Sequence, residues 1–169
     1  LDRNFARTLL YLIIGESCKQ QIIHLQGLQK EQPAYQDETA WYEKLKQNLL
    51  ILTERWAPVY DEQYDRLYPA IRLCLDLERE RISSLITNLP DQELMIDLGC
   101  ATGRRTVQFG RSFDRAIGYD ISPHMIAVAE QKAVDGNRGK MHFEVLDVEN
   151  GLPLEDRSVS FVMMNMGTG

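Results

Sequence analysis

The feature that most constrains the fold is a change of texture after Pro90. "ELMIDL", "RAIGYD", "MHFEVLD" and "VSFVMMN" are short apolar runs suited to strands buried on both faces, as in a parallel sheet. Between the first two lies "GRRTVQFGRSF", a short helix candidate. After the second comes "SPHMIAVAEQKAV", with Ser122 placed to cap a helix and Pro123 in its first turn. Parallel neighbours need a crossover, so this alternation predicts a doubly wound α/β sheet.

The first half reads as helix. Phe5, Leu9, Leu12, Ile13, Ile23 and Leu28 fall near helical spacing, and "EQPAYQDE" predicts a turn. A second helix is expected from about Thr39 to Trp56, with Trp41, Leu45, Leu49 and Leu52 as its apolar stripe. "YDEQYDRLYPAIRLCLDLERERISSLITNL" predicts two helical pieces interrupted near Tyr68-Pro69, burying Ile71, Leu75, Ile82, Leu85 and Ile86. The charge run "DLERERI" is expected on an exposed face. This divides the chain into an N-terminal helical segment, 1–55, serving as lid, cap or dimer surface, and an α/β domain, 56–169.

At 169 residues the chain can bury one sizeable core. A formal charge of -6 offers no broad positive field, which disfavours nucleic acid as the dominant partner. Three scattered cysteines, Cys18, Cys74 and Cys100, show no metal-ligand spacing and fit reduced thiols, so a cytoplasmic address is expected. The longest apolar runs, such as "LLYLII", are too short for a membrane span. The opening leucine, in place of methionine, leads us to expect a trimmed or incomplete chain.

Within this frame "LMIDLGCATGRRT" is the candidate ligand platform, because ligands of such sheets sit at the carboxyl ends of the strands. Gly99 and Gly103 remove side chains where a ligand must approach, while Ala101 and Thr102 keep the turn narrow. A dinucleotide site would show G-x-G-x-x-G after the strand, and this order is missing. Asp97 ends the strand instead; a carboxylate there repels a pyrophosphate and suits a positively charged ligand.

"MIDLGCATG" resembles the first motif of class I S-adenosylmethionine-dependent methyltransferases, with Ala101 where the middle glycine is usual. "AIGYDIS" extends the resemblance by placing Asp120 roughly 20 residues past the loop, where a carboxylate takes both ribose hydroxyls. "FEVLDVENGLPLEDRSVSFVMMN" adds Asp147 after the third strand. The family often carries Phe-Asp where this chain has Val159-Ser160. The resemblance implies a Rossmann-like sheet, S-adenosylmethionine as cofactor and S-adenosylhomocysteine as product. It further implies that Asp97 and the Gly99, Cys100, Ala101, Thr102 and Gly103 loop line the cofactor, with Ile121 and Met125 near the adenine. Asp147 would accept from the adenine amino group, and the backbone of Val148 would read the ring. Asn165 would stand at the mouth, with Tyr64 as a lid. "MNMGTG" lacks the signature of enzymes that methylate planar amino groups, so a small-molecule amine, hydroxyl or carbon acceptor is expected.

No side chain is assigned as acid, base or metal ligand. Cys100 is read as a small loop residue, Arg104 and Arg105 as a solvated helix start, and His24, His124 and His142 as structural or solvated. Tyr60, Tyr64 and Tyr68 read more readily as half-buried aromatics of one helix. A complete sheet of this type carries about three more strands, which leads us to expect a fragment that ends after its fourth strand, an open apolar edge there, weak or absent turnover in isolation, and a possible homodimer through the N-terminal helices. Two other classes compete: a non-catalytic module of the same fold acting through protein contacts, and a nicotinamide-dinucleotide oxidoreductase.

Overall fold

The computed structural model describes residues 38–66, 69–133 and 139–164, the side chains of 38–42, 64, 65 and 69–71 excepted. Contacts divide the chain into two units, Leu1–Leu45 and Lys46–Gly169. The expected helix over residues 5–28, the turn around Pro33 and His24 lie outside the described residues.

Three helices precede the sheet: α1 (Glu38–Trp56), α2 (Tyr60–Asp65) and α3 (Pro69–Thr87). A short 3-10 turn, Ala57–Val59, separates the first two at Pro58, which has no N–H to continue the helix. The rest alternates as predicted: β1 (Leu94–Leu98), α4 (Arg104–Gly110), β2 (Arg115–Asp120), α5 (Pro123–Ala133), β3 (Met141–Val145) and β4 (Phe161–Met164). All pairings are parallel in the order β3-β2-β1-β4. The chain winds outward from β1 to β3 and returns to the other side of β1 for β4, so the topological switch point lies between β1 and β4.

One sheet face packs Met95, Ala116, Met141, Phe143 and Met163 against Ile86 of α3, Phe109 of α4 and Ile126, Ala129 and Ala133 of α5. The other face gathers Leu94, Ile96 and Tyr119 with Leu98, Ile117, Leu146, Leu154 and Val159. Central β1 is buried from Leu94 to Asp97 because it has a strand on each side. The outer strands are less apolar in effect: His142 and Glu144 of β3 are exposed, as are Val162 and Met164 of β4, an edge strand among the described residues. Ser160 fastens the start of β4. Its hydroxyl accepts from the Glu93 and Leu94 N–H groups and donates to Asp91, a structural use of the position where the family often has aspartate.

Leu85 of α3, expected in the core, is 43 % exposed, while the apolar stripe of α1 stands at Leu45, Leu49 and Leu52, each more than 40 % exposed. Helical spacing fixes which residues share a face, while burial needs an element packed against that face. In α3, Ile86 takes the core position, with Ile82 half-buried beside it. Glu78, expected on a solvated face, pairs with Arg105 at 2.5 Å, so Arg105 is no free helix start; it also spans the Phe109 ring at 6.0 Å.

Candidate functional site

The carboxyl ends of β1, β2 and β3 each present an aspartate: Asp97 in β1, Asp120 closing β2 and Asp147 just past β3. Between the first two runs the glycine loop. Its backbone turns through the left-handed region at Gly99 (φ 69°), Ala101 (φ 47°) and Gly103 (φ 69°), with bonds from Cys100 N–H to the Tyr119 carbonyl and from Gly103 N–H to the Cys100 carbonyl, both 2.9 Å. Ala101 thus stands, at some strain, in a conformation that favours glycine. A Cβ on Gly103 would lie 2.6 Å from the Phe143 ring and 2.9 Å from Ala129. Gly103 therefore has a packing reason as well as the ligand-approach reason expected from sequence. The same ring meets Gly118, where a Cβ would come within 2.7 Å of it.

Asp97 is 1 % exposed, and its Oδ2 accepts from the Thr106 hydroxyl at 2.5 Å. Burial lifts its carboxyl from 3.8 to about 7; the Thr106 bond and nearby Arg105 oppose the rise, and Asp120 adds to it. Asp120 accepts 2.8 Å bonds at both oxygens, Oδ2 from the Ala101 N–H and Oδ1 from the Ser122 N–H. Its carboxyl is raised by burial against the pull of those two N–H groups. Asp147 caps the turn Val148–Asn150 by accepting from the Glu149 N–H, while its Oδ2 takes a 2.7 Å bond from Lys46 of α1. Lys46, which also reaches Glu149 at 2.8 Å, holds the Asp147 carboxyl below its ordinary range.

Of the flanking residues, Ile121 is half-buried, Met125 is 3 % exposed within the core and Val148 is 39 % exposed. Burial, with Asp97 and Asp120 nearby, pushes the Cys100 thiol well up, leaving little thiolate for nucleophilic attack. Ser122 does cap α5, its hydroxyl accepting from the Met125 N–H at 3.3 Å. Tyr60 is half-buried, and His124, His142 and Arg104 are exposed. The Tyr64 side chain, Tyr68 and Asn165 lie outside the described residues.

Sequence reasoning missed the residues that brace these tips. Thr102 donates to Asp61 of α2 at 2.7 Å, and Lys132 of α5 bonds both Asp61 and the Thr102 carbonyl. Ser122 donates to Thr53 of α1 at 2.8 Å. Lys46, Thr53 and Asp61 thus reach the third tip, the second tip and the glycine loop in turn. Partners 101, 69 and 41 residues away leave no local signal. Thr106 was closer to legible, standing one turn into the helix that the loop opens.

Residues 95–168 match the family described as a methyltransferase domain. Magnesium-protoporphyrin O-methyltransferase of Rhodobacter capsulatus is 31% identical over 101 residues, 57% of this chain and 44% of that protein. Carboxy-S-adenosyl-L-methionine synthase of Helicobacter pylori (strain HPAG1) is 34% identical over 98 residues, 56% of this chain and 40% of that protein. The chain thus matches less than half the length of either curated relative. Among solved structures, a Methanococcus maripaludis protein described as an S-adenosylmethionine-dependent methyltransferase superposes with a TM-score of 0.53. It is 20% identical, over 67% of this chain and 50% of that one, and so speaks to the fold. With the parallel order β3-β2-β1-β4 and the loop after β1, these matches make residues 95–168 similar in sequence and fold to class I S-adenosylmethionine-dependent methyltransferase domains.

Proposed function

We propose that the strand tips and the glycine loop between them bind S-adenosylmethionine and that the protein transfers its methyl group to a small-molecule amine, hydroxyl or carbon acceptor. The observation that carries this reading is the row of three carboxylates on successive parallel strands, with Asp97 buried at the foot of the loop. The residues suit the group. Asp120 spends one acceptor site of each oxygen on a backbone N–H, which leaves one on each for a pair of ribose hydroxyls. Asp97 has no cationic bonding partner among the described residues and suits the charged end of the ligand.

When bound, the cofactor supplies a methyl already activated by its sulfonium leaving group. The residues of this chain position it and keep water away. The loop from Gly99 through Cys100, Ala101 and Thr102 to Gly103 would hold the methionyl part, Asp120 would fix the ribose, and Asp147 with the Val148 backbone would read the adenine. Ile121 would line the ring and Met125 would support it from the core. No side chain is needed as acid or base by the leaving group itself, and an amine acceptor has only to lose its proton before or during attack. Free Cys74 and Cys100 support a reducing, cytoplasmic setting.

Calorimetric titration tests the reading. Binding of S-adenosylmethionine without response to NAD supports it; response to NAD alone points to a dinucleotide oxidoreductase, and response to neither points to a module acting through protein contacts. Asp120→Ala should weaken binding by roughly 1.5–3 kcal/mol, the worth of hydrogen bonds to a charged group. An unchanged affinity removes Asp120 from the site.

A further inference from the structure

Thr106 is 0 % exposed and sits one turn into α4, where no sequence motif drew attention to it. Its hydroxyl donates to Asp97 Oδ2, and Asp97 is itself 1 % exposed. A buried carboxylate without solvent or a cationic bonding partner is costly to keep ionised, and a short hydroxyl donor lowers that cost. The charged and titratable groups around it are few. From α4 Arg105 acts on Asp97, but Glu78 of α3 holds its guanidinium. From the tip of β2 Asp120 acts with the same sign as Asp97. In the loop stands the Cys100 thiol, protonated by burial, and Lys132 of α5 is engaged by Asp61 and the Thr102 carbonyl.

We propose that Thr106 is a positioning residue that holds the Asp97 carboxylate in its ionised, ligand-facing form, so that cation binding at the glycine loop is coupled to release of a proton from Asp97. This rests on the reading of the strand tips as an S-adenosylmethionine site. In the free protein the Asp97 carboxyl, pushed up to about 7, is partly protonated near neutral pH. A sulfonium or ammonium placed beside it favours the charged form, and the proton leaves to the buffer. Removal of the hydroxyl donor raises the Asp97 carboxyl further, because the bond favours the ionised state.

The test compares wild type, Thr106→Val and Thr106→Ser by calorimetric titration with S-adenosylmethionine from pH 6 to pH 8. The ligand's own amino group titrates alike against all three, so the ratio of variant to wild-type affinity isolates the protein. Thr106→Val should bind about tenfold more weakly at pH 6, with the deficit shrinking to about twofold at pH 8, as expected for a carboxyl raised by about one further unit. Thr106→Ser, which keeps the donor, should restore the wild-type profile. A deficit in Thr106→Val that stays the same at every pH, or a Thr106→Ser variant that tracks it, would mark a packing role and overturn the proposal. Carbon-13 titration of the Asp97 carboxyl in ligand-free protein supplies a second measurement. A midpoint that does not rise in Thr106→Val overturns the proposal regardless of ligand. A midpoint that rises in protein unable to bind S-adenosylmethionine would sink the cofactor reading and the coupling, while upholding the grip of Thr106 on Asp97.

Discussion

Gly103→Ala isolates the packing of the loop from its ligand. The new methyl would lie 2.6 and 2.7 Å from two carbons of the Phe143 ring and 2.9 Å from the Ala129 methyl, on a backbone at φ +69°. A left-handed conformation costs an L-residue about 1–2 kcal/mol, of which the less flexible unfolded chain returns about 0.4–1. Overpacking a dense core adds about 1–3 kcal/mol. The net loss is therefore about 1–5 kcal/mol, a large part of a typical domain's stability. For an ordered unit of this size that is a fall in Tm on the order of 10 °C. Thermal unfolding followed by far-ultraviolet circular dichroism reads it directly. Gly151→Ala measures backbone strain without overpacking, since φ +93°, ψ 166° is a conformation only glycine adopts readily, while no atom beyond its chain neighbours lies within 4 Å of the new Cβ. Adding Phe143→Leu to Gly103→Ala should show favourable coupling of about 1 kcal/mol, because the smaller side chain yields space to the methyl. A Gly103→Ala protein that melts within about 2 °C of wild type, or a double variant that is simply additive, would refute the steric argument.

Other expectations follow from the same geometry. Ala101→Gly, at φ 47°, should gain roughly 0.5–1 kcal/mol in chemical denaturation, as relief of left-handed strain exceeds the entropy that glycine adds to the unfolded chain. For Asp97 the folded value of about 7 lies above the unfolded 3.8, so the native state holds the extra proton and stability falls as pH rises between them. Asp97→Asn should consequently raise Tm at pH 8 by an amount corresponding to a few kcal/mol at most, leave it nearly unchanged at pH 4, and lose affinity for S-adenosylmethionine. A variant without stability gain at pH 8 would contradict the burial argument. Lys46→Met should speed amide exchange along the second half of α1 and return the Asp147 carboxyl toward its ordinary range, with the β1 and β2 amides unchanged; exchange mass spectrometry with carboxyl titration checks both.

The sequence by itself determined the strand-and-helix alternation, the loop after β1 and the aspartate at each of three strand tips. These are local properties: apolar runs between turn residues set the strands, Ser122 and Pro123 start α5, and small residues allow the bend at the loop. Only the tertiary structure decided what surrounds each tip. Asp97 was legible as a carboxylate, but its burial and the Thr106 bond depend on how α4 folds back over β1. Asp147 was legible as a strand-end acid, whereas its grip on Lys46 joins residues 101 positions apart. Helical spacing marked the face of Leu45, Leu49 and Leu52 yet could not tell whether anything covers it. The physical reason is the same in each case: spacing along a chain fixes direction within an element, while burial, charge and hydrogen-bond partners come from the elements that pack against it.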